Sequence, residues 1–247
     1  MEEDKTTVRA VDRALDILLS FTEENELGLS EIAKRISLHK STVHRLLGSL
    51  EAKGFIIRNP ETEKFRLGYR ILELSANLTQ SDDISIVLLP EMERLRDLVG
   101  ETISLYVRDG FERIRIQAVQ SNQPIRRVAP VGARMPLTVG ASSKLLVAYE
   151  DAETREQILA HTEWPDRVDR EMFVEQLEQI RCEGYATSVE ERELGAAAVS
   201  APIFNRKGKV LCALSISGPS NRLTTEKMRE FSKPLLDAAT KMSKMLK

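Results

Sequence analysis

The sequence predicts an α+β protein made of two parts: a small N-terminal domain of helices with a hairpin, and a larger C-terminal domain with a central antiparallel sheet. Three observations support this prediction. Residues 29–54 carry the apolar spacing of two short helices. Residues 55–67 have the pattern of two short strands around a turn. From residue 101 onward, alternating stretches typical of antiparallel strands are interspersed with helical ones, and 247 residues are enough for two domains.

The second helix predicted within residues 29–54 has one apolar face and one small, polar face. Its apolar residues recur at helical spacing: Val43, Leu46, Leu47 and Leu50. The opposite side carries Arg45 among small and hydroxyl side chains, a surface suited to lying in a groove. Ser30 is expected to cap the preceding helix, and Gly54 to end the second one. This pair predicts a helix-turn-helix, whose second helix enters the major groove of DNA.

The flanking residues complete the predicted N-terminal domain. An amphipathic helix over residues 8–21 is expected to bury one side, formed by Val11, Ala14, Leu15, Leu18 and Phe21. Strands at Phe55–Arg58 and Lys64–Leu67 surround the turn-prone residues 59–62. A β-hairpin directly after a helix-turn-helix is a wing.

The charge distribution favours contact with DNA, although the whole chain has a net charge of −2. Residues 34–70 contain nine basic and three acidic residues, so this segment carries +6 and the remainder −8. Arg45 is expected to read a base, since arginine on guanine is the commonest specific contact. The basic residues of the wing either hold phosphates or are ordinary charges of a solvated hairpin. The predicted DNA contacts are Lys40, Ser41, Thr42, His44, Arg45, Arg58, Lys64 and Arg66.

Two helices are predicted to connect the domains. The first covers residues 69–80, and the second covers residues 84–99, where Pro90 should cause a kink because proline removes a backbone hydrogen bond. Their apolar residues exceed what a linker surrounded by water needs. We therefore expect a partner surface on these helices, provided by either the C-terminal domain or a second subunit.

The C-terminal part is predicted to contain both strands and helices. The strands are expected at residues 101–109, 111–120, 125–132, 185–189, 196–204 and 209–217. The helices are expected to start near residue 141 and to cover residues 153–162, 169–183 and 224–244.

The residue inventory argues against an enzyme. His39 and His44 fall in the predicted DNA-binding helices, and His161 ends a polar helix. Motifs for a phosphate loop, a dinucleotide or a nucleophile elbow are absent from the sequence. Cys182 and Cys212 lack the spacing of a metal site. We therefore expect neither a metal nor a cofactor. The sequence also lacks a signal peptide and a membrane-spanning apolar run, so a cytoplasmic protein is expected.

Polar groups suited to binding a small molecule lie at two places. The first is the start of a predicted helix, formed by Gly140, Ala141, Ser142 and Ser143. Backbone N–H groups without a helical partner favour an anion there. With Lys144 these serines lack the spacing of a catalytic serine and lysine, so a capping role is favoured. The second place is a strand on which Ser215 and Ser217 share one face, where they bind either a ligand or neighbouring backbone.

Several stretches together resemble the isocitrate-lyase-regulator (IclR) family of bacterial transcription factors. In the N-terminal part they are RALDILLSF, LSEIAKRISLHKSTVHRLLGSLEAKGF and FRLGYRILEL. In the C-terminal part they are ETISLYVRDG, VGARMPL, GASSKLLVA, GYATSVEE, ELGAAAVSAPIF and ALSISGP. The resemblance implies a winged helix-turn-helix, a linker helix and a GAF-like effector-binding domain. It also implies a homodimer or a homotetramer, formed as a dimer of dimers, on palindromic operators.

The resemblance also implies where an effector binds. Relatives that bind small oxo-acids use a Gly-Ala pair, an Asp, a Cys and two serines. Here Ser188 and Ala198 stand where that Asp and Cys are expected, and Ser143 replaces a common glycine. The loss of the carboxylate makes the pocket less acidic, so a different effector is expected. Arg126 and Arg127 either favour an anion or, for at least one of them, are ordinary surface charges. The predicted effector contacts are Gly140, Ala141, Ser142, Ser188, Ala198, Ser215 and Ser217.

Together these features predict a DNA-binding regulator, expected to be a repressor, that senses a small anionic or carboxylate metabolite. The predicted domains are the winged helix-turn-helix at residues 1–68, the linker helix at 69–82 and the effector-binding domain at 83–247. Two alternatives stay open. One is a DNA-binding module fused to a domain with enzymatic activity on a small metabolite, and the other is a protein–protein adaptor without salt-dependent affinity for DNA.

Overall fold

A computed structural model describes residues 7–22, 24–78, 84–125, 130–161, 164–166 and 168–246 of the chain. The chain divides into two compact units, residues 1–82 (unit 1) and 83–247 (unit 2). Among the helices of the described ranges, none has the length and hydropathy needed to cross a membrane.

Unit 1 is helical with one small hairpin. Its elements are α1 (Arg9–Leu19), α2 (Leu29–Arg35), α3 (Lys40–Ala52), β1 (Ile56–Arg58), β2 (Phe65–Leu67) and α4 (Tyr69–Leu78). The strands pair antiparallel, with Ile57 opposite Arg66. The core of unit 1 is formed by Ile17, Ile32, Val43, Leu47 and Ile56, all at most 1% exposed. The predicted helix-turn-helix and wing are therefore present, and Gly54 takes the positive φ of +76° that follows the end of α3.

Two local predictions in unit 1 need correction. The predicted buried face of the first helix is only partly right: Phe21 is buried as predicted, but Val11 and Leu15 are 53% and 52% exposed, whereas Ile17 is fully buried. The apolar band of α1 is wider than the surface that the small core covers, so its spacing alone did not identify the buried side. Ser30 does not cap α2, because the helix begins at Leu29 and the N–H of Gly28 donates to the Glu31 carboxylate.

Unit 2 is an antiparallel sheet with helices on both faces. Its elements are α5 (Ile84–Val87), α6 (Leu89–Val99), β3 (Thr102–Asp109), β4 (Glu112–Val119), β5 (Arg134–Pro136), α7 (Ala141–Ala148), α8 (Ala152–His161), α9 (Arg170–Glu183), β6 (Ala186–Val189), β7 (Ala196–Phe204), β8 (Val210–Pro219) and α10 (Thr225–Met245). Across the described part of unit 2, the strand order is β5-β4-β3-β8-β7-β6, and every neighbouring pair is antiparallel.

The two faces of this sheet differ in chemistry. One face carries large apolar side chains such as Leu105, Val199 and Ile216, which pack with α6 and α10 into one core. Because side chains alternate along a strand, Ser215 and Ser217 lie on the other face, which is covered by α7. A polar surface is thus enclosed between the sheet and a helix.

Two further predictions in unit 2 need correction. The helix expected over residues 84–99 is divided at Leu88 into α5 and α6. Pro90 lies in the first turn of α6, where a backbone N–H would have no partner within the helix, so proline is tolerated there without a kink. In the stretch 125–132, residues 126–129, which include Arg126 and Arg127, fall outside the described residues. The strand at this edge of the sheet is β5, which starts later, at Arg134.

Candidate functional site

The start of α7 is held close to the sheet by Gly140. This residue has a φ of +90°, and a Cβ atom there would lie 3.2 Å from Nη2 of Arg113, so only glycine fits without strain. Its N–H donates to Oε2 of Glu191 at 2.9 Å. The first turn of α7 therefore already has a carboxylate at its N-terminus, as the helix dipole favours.

A small cavity of about 40 Å³ lies between the start of α7 and the polar face of the sheet. All seven residues predicted to contact an effector line it: Gly140, Ala141, Ser142, Ser188, Ala198, Ser215 and Ser217. The remaining lining residues are Tyr106, Arg113, Arg192, Ala196 and Ala197. A volume of this size holds about three water molecules, so the cavity accepts only a small ligand.

The strand register brings the predicted serines together. Ser188 on β6 lies opposite Ala198 on β7, which in turn lies opposite Ser217 on β8. The Ser200 hydroxyl donates to the Ser215 hydroxyl at 2.9 Å. Ser217 is 6% exposed, and its hydroxyl oxygen has no hydrogen-bond partner within the part of the chain that the structure describes. An orphan buried hydroxyl in a cavity wall is a ready contact for a polar ligand.

Two arginines in the cavity wall were not predicted. Arg113 on β4 is 4% exposed, and its guanidinium carbon lies 5.3 Å from the centre of the Tyr106 ring. Its Nη2 is 3.7 Å from Sδ of Met135, and Nη1 of Arg192 approaches the same sulfur at 2.9 Å. The alternation Arg113, Ile114, Arg115 gave a signal for Arg113, because it places both arginines on the face opposite the isoleucine. Arg192 lies between β6 and β7, where no periodicity indicates a direction.

A buried ion pair stands beside the cavity. The ammonium of Lys144 forms a salt bridge with Oε1 of Glu191 and donates to Oε1 of Gln176 at 2.8 Å. Burial lowers the pKa of Lys144, and the charge of Glu191 opposes this shift. The hydroxyl of Ser143 accepts from Arg113 and donates to the Pro136 carbonyl, so the described contacts do not pair a serine hydroxyl with Lys144.

The second candidate site is the outer face of α3. Val43 and Leu47 are buried in the core of unit 1, whereas Ser41, His44 and Arg45 are exposed on the opposite side. Lys40, the first residue of the helix, is also exposed, and Thr42 is half-buried. The helix thus presents small polar side chains together with Lys40, His44 and Arg45 to its surroundings, a surface of the kind that a major groove accepts.

Both halves of the chain match profiles of one family. The profile described as "Bacterial transcriptional regulator IclR C-terminal" matches residues 76–244. The profile described as "IclR helix-turn-helix domain" matches residues 10–60. The chain belongs to the IclR family of bacterial transcriptional regulators.

Similar proteins agree with the IclR assignment over almost the whole chain. The regulator KdgR of Escherichia coli is 32% identical and covers 98% of this chain and 94% of its own length. The transcriptional repressor AllR of Escherichia coli is 29% identical, with 96% and 90% covered. The crystal structure of an IclR homologue from Microbacterium hydrocarbonoxydans, complexed with 4-hydroxybenzoate, has a TM-score of 0.84 at 26% identity, with 96% and 98% covered. The fold is therefore that of the family, with a GAF-like C-terminal domain.

The wing of this IclR-family chain distributes its basic side chains over two faces. Arg58 lies opposite Phe65 in the hairpin and forms an exposed ion pair with Glu63. Arg66 lies opposite Ile57, on the other face. Lys64 directly precedes β2, and continued alternation would place it on the face of Arg66. The three basic wing residues predicted to contact DNA are thus not on one surface: Lys64 and Arg66 are together, and Arg58 is apart.

Proposed function

We propose that this IclR-family regulator changes its affinity for an operator when a small carboxylate binds in the cavity between α7 and the sheet. The observation that carries the proposal is the composition of that cavity. It combines the start of a helix, an unpartnered buried hydroxyl on Ser217 and the guanidinium groups of Arg113 and Arg192. All three kinds of group bind a carboxylate well.

The operator is read by the exposed face of α3. Ser41, Thr42, His44 and Arg45 contact base edges, and the bidentate fork of Arg45 on guanine provides most of the discrimination. Lys40 at the start of the helix, Lys64 and Arg66 on one face of the wing, and Arg58 on the other hold phosphates. Arg58 then has to exchange its ion pair with Glu63 for a phosphate, so its contribution is smaller.

A homodimer, or a dimer of dimers, supplies a second recognition helix for the other half of a palindromic operator. The support is an exposed apolar stripe on α1, where Val11, Leu15 and Leu19 are each more than half exposed, as is Val8 directly before the helix. A stripe of this kind on a small domain marks an interface. In the division of labour that we propose, residues 1–68 read DNA, residues 69–82 link and residues 83–247 sense the effector in the cytoplasm. Repression is the expected sign, since AllR is named a repressor.

An enzymatic role for unit 2 is not favoured. The hydroxyl of Ser143 and the ammonium of Lys144 are each hydrogen-bonded to other groups. Cys212 is buried, and burial raises the pKa of its thiol to about 12, so it is not a nucleophile at neutral pH.

One experiment tests the proposal and its enzymatic alternative together. Full-length protein is used to select an operator from random DNA, and a panel of small carboxylates is screened for thermal stabilisation and for altered operator affinity. We expect at least one carboxylate to stabilise the protein, to change operator binding and to be recovered intact. Recovery of a converted product would favour an enzyme, and DNA affinity that is independent of salt would favour an adaptor.

A further inference from the structure

We infer that the ligand of the α7 cavity carries two acidic groups and is a short dicarboxylate. This inference rests on the proposed function and deepens it, because it specifies the charge and the length of the effector. The observation behind it is the set of charges in the wall. Of the described residues that line the cavity, two are cationic, Arg113 and Arg192, and none is acidic.

The two guanidinium groups converge on one atom. Arg113 comes from β4 and Arg192 from the segment between β6 and β7, yet both have a nitrogen within hydrogen-bonding range of Sδ of Met135. A thioether sulfur is a weak acceptor with no charge. A carboxylate has two oxygens and a negative charge, so it is a much stronger acceptor for guanidinium groups than a thioether. Met135 itself does not line the cavity, so we assign the adjoining part of the wall that Arg113 and Arg192 form, the arginine pole, to one acidic group of the ligand.

The other pole of the cavity is the start of α7 with the neighbouring strand. Here the donors are the first backbone N–H groups of the helix, with Ser142 and the unpartnered hydroxyl of Ser217 nearby. The structure already shows that this place accepts a carboxylate, since Glu191 takes the N–H of Gly140. Because Glu191 already takes the N–H of Gly140, a second acidic group would use the next backbone N–H groups of α7 and the hydroxyls of Ser142 and Ser217.

The distance between the poles sets the length of the ligand. Nη2 of Arg113 lies 3.2 Å from the place of a Cβ on Gly140, so the arginine pole and the helix start are neighbours. The cavity volume of about 40 Å³ likewise allows only a few atoms between the two acidic groups. These limits favour the shortest dicarboxylates, those of about two or three carbons, and succinate marks the upper end of the series to be tested.

The test compares each dicarboxylate with its own monoamide. Calorimetric titrations of the full-length protein use oxalate, malonate and succinate as probes, and oxamate, malonamate and succinamate as partners of equal size with one charge removed. We expect at least one dicarboxylate to bind about 10-fold or more tightly than its monoamide, as the loss of a charge-assisted hydrogen bond implies. Equal affinities within each pair, or no saturable binding of the dicarboxylates, would overturn the inference.

Variants locate the second charge. Arg192→Gln should reduce the preference for the dicarboxylate to about threefold or less, because it removes one guanidinium from an exposed segment without opening the core. Arg134→Gln is the matched control: it removes the same charge next to Met135, but this exposed side chain is paired with Asp109 and Glu112 and does not line the cavity. If both variants reduce the preference equally, the effect is general electrostatics and the assignment of Arg192 is wrong.

Failure of this inference is distinguishable from failure of the proposed function. Acetate, glyoxylate and pyruvate serve as single-charge probes in wild type and in Ser217→Ala. If these bind with a Ser217-dependent affinity while dicarboxylates show no advantage, the cavity is still an effector site and only the second acidic group is refuted. If no carboxylate binds at all, both the inference and the proposed function are overturned.

Discussion

The buried ion pair between Lys144 and Glu191 gives a quantitative test of how the site is held together. The side chains are 4% and 21% exposed, and Glu191 also accepts the N–H of Gly140. Glu191→Gln keeps the shape but removes the counter-charge, which leaves a buried ammonium. Losing one partner of a buried pair costs about 3–5 kcal/mol. Because Glu191 is partly solvated, we expect a loss of about 2–3 kcal/mol in the free energy of unfolding of unit 2.

The assay uses the single tryptophan of the chain. Trp164 belongs to unit 2, where its ring packs edge-on against Phe173 at 5.2 Å between centroids, so its fluorescence during urea unfolding reports on unit 2 alone. The variants are Glu191→Gln, Lys144→Met and the double variant, since their double-mutant cycle isolates the pair. We expect a coupling of about 1–3 kcal/mol, with the double variant more stable than the sum of the single losses predicts.

The pH dependence of the free energy of unfolding provides a second test of this ion pair. Burial lowers the pKa of Lys144 in the folded state below its ordinary value of 10.5. As the pH rises, the folded state therefore releases this proton before the unfolded state does. The destabilisation caused by burying the charge is relieved as the pH passes through the lowered pKa. Removing Glu191 lowers that pKa further. The loss caused by Glu191→Gln should therefore shrink as the pH is raised from neutral toward 10.5. Additive single losses, or a loss that grows with pH, would refute the assigned pairing.

Three further predictions follow from other parts of the structure. Arg45→Ala should weaken binding to a selected operator by about 1–3 kcal/mol, measured by titration, with a smaller loss on random DNA because a base contact is removed. Native protein at pH 8 should react with a thiol reagent at one site, the exposed Cys182, whereas Cys212, whose pKa is raised to about 12, reacts only after unfolding. Leu15→Glu should dissociate the proposed homodimer at low concentration, as measured by sedimentation, because it places a charge in the exposed apolar stripe of α1.

Each of these has an outcome that contradicts it. Equal losses on operator and random DNA would exclude a base-reading role for Arg45. Two fast-reacting thiols in the native state would show that Cys212 is accessible. For the dimer, Met172→Glu is the matched control, since Met172 is similarly exposed on α9. Dissociation in neither variant would place the interface elsewhere.

The sequence predicted those features whose signals are local. The period of Val43 and Leu47 indicated the buried side of α3, and the turn around Asn59 indicated the wing. The face of α1 was misjudged because its apolar band is wider than the core beneath it, so residues such as Leu15 remain exposed. For α1, which side is buried depends on what packs against the helix, and a single helix does not carry that information.

For the cavity, too, the sequence predicted the residues with local signals and missed those that depend on distant contacts. The alternation on β8 put Ser215 and Ser217 on one face, and resemblance to the IclR family indicated the start of α7, so the residues predicted there line one cavity. Arg192 and the contact of Glu191 with Gly140 escaped prediction. They depend on a segment between two strands folding back onto a helix 51 residues earlier in the chain, which no local pattern encodes. The alternation on β4 indicated the face on which Arg113 lies, but nothing in the sequence indicated which residues would pack against that face.

The most direct test of the central claim is operator affinity measured with and without the tightest-binding carboxylate of the probe panel, on full-length protein and a selected operator. We predict a change of about 5-fold or more in the dissociation constant at saturating ligand, as expected for coupled sites. We also predict that Ser217→Val, which removes the unpartnered hydroxyl, abolishes the change at that ligand concentration while leaving ligand-free operator binding intact. A ligand that saturates the cavity by calorimetry and leaves operator affinity unchanged would contradict the account.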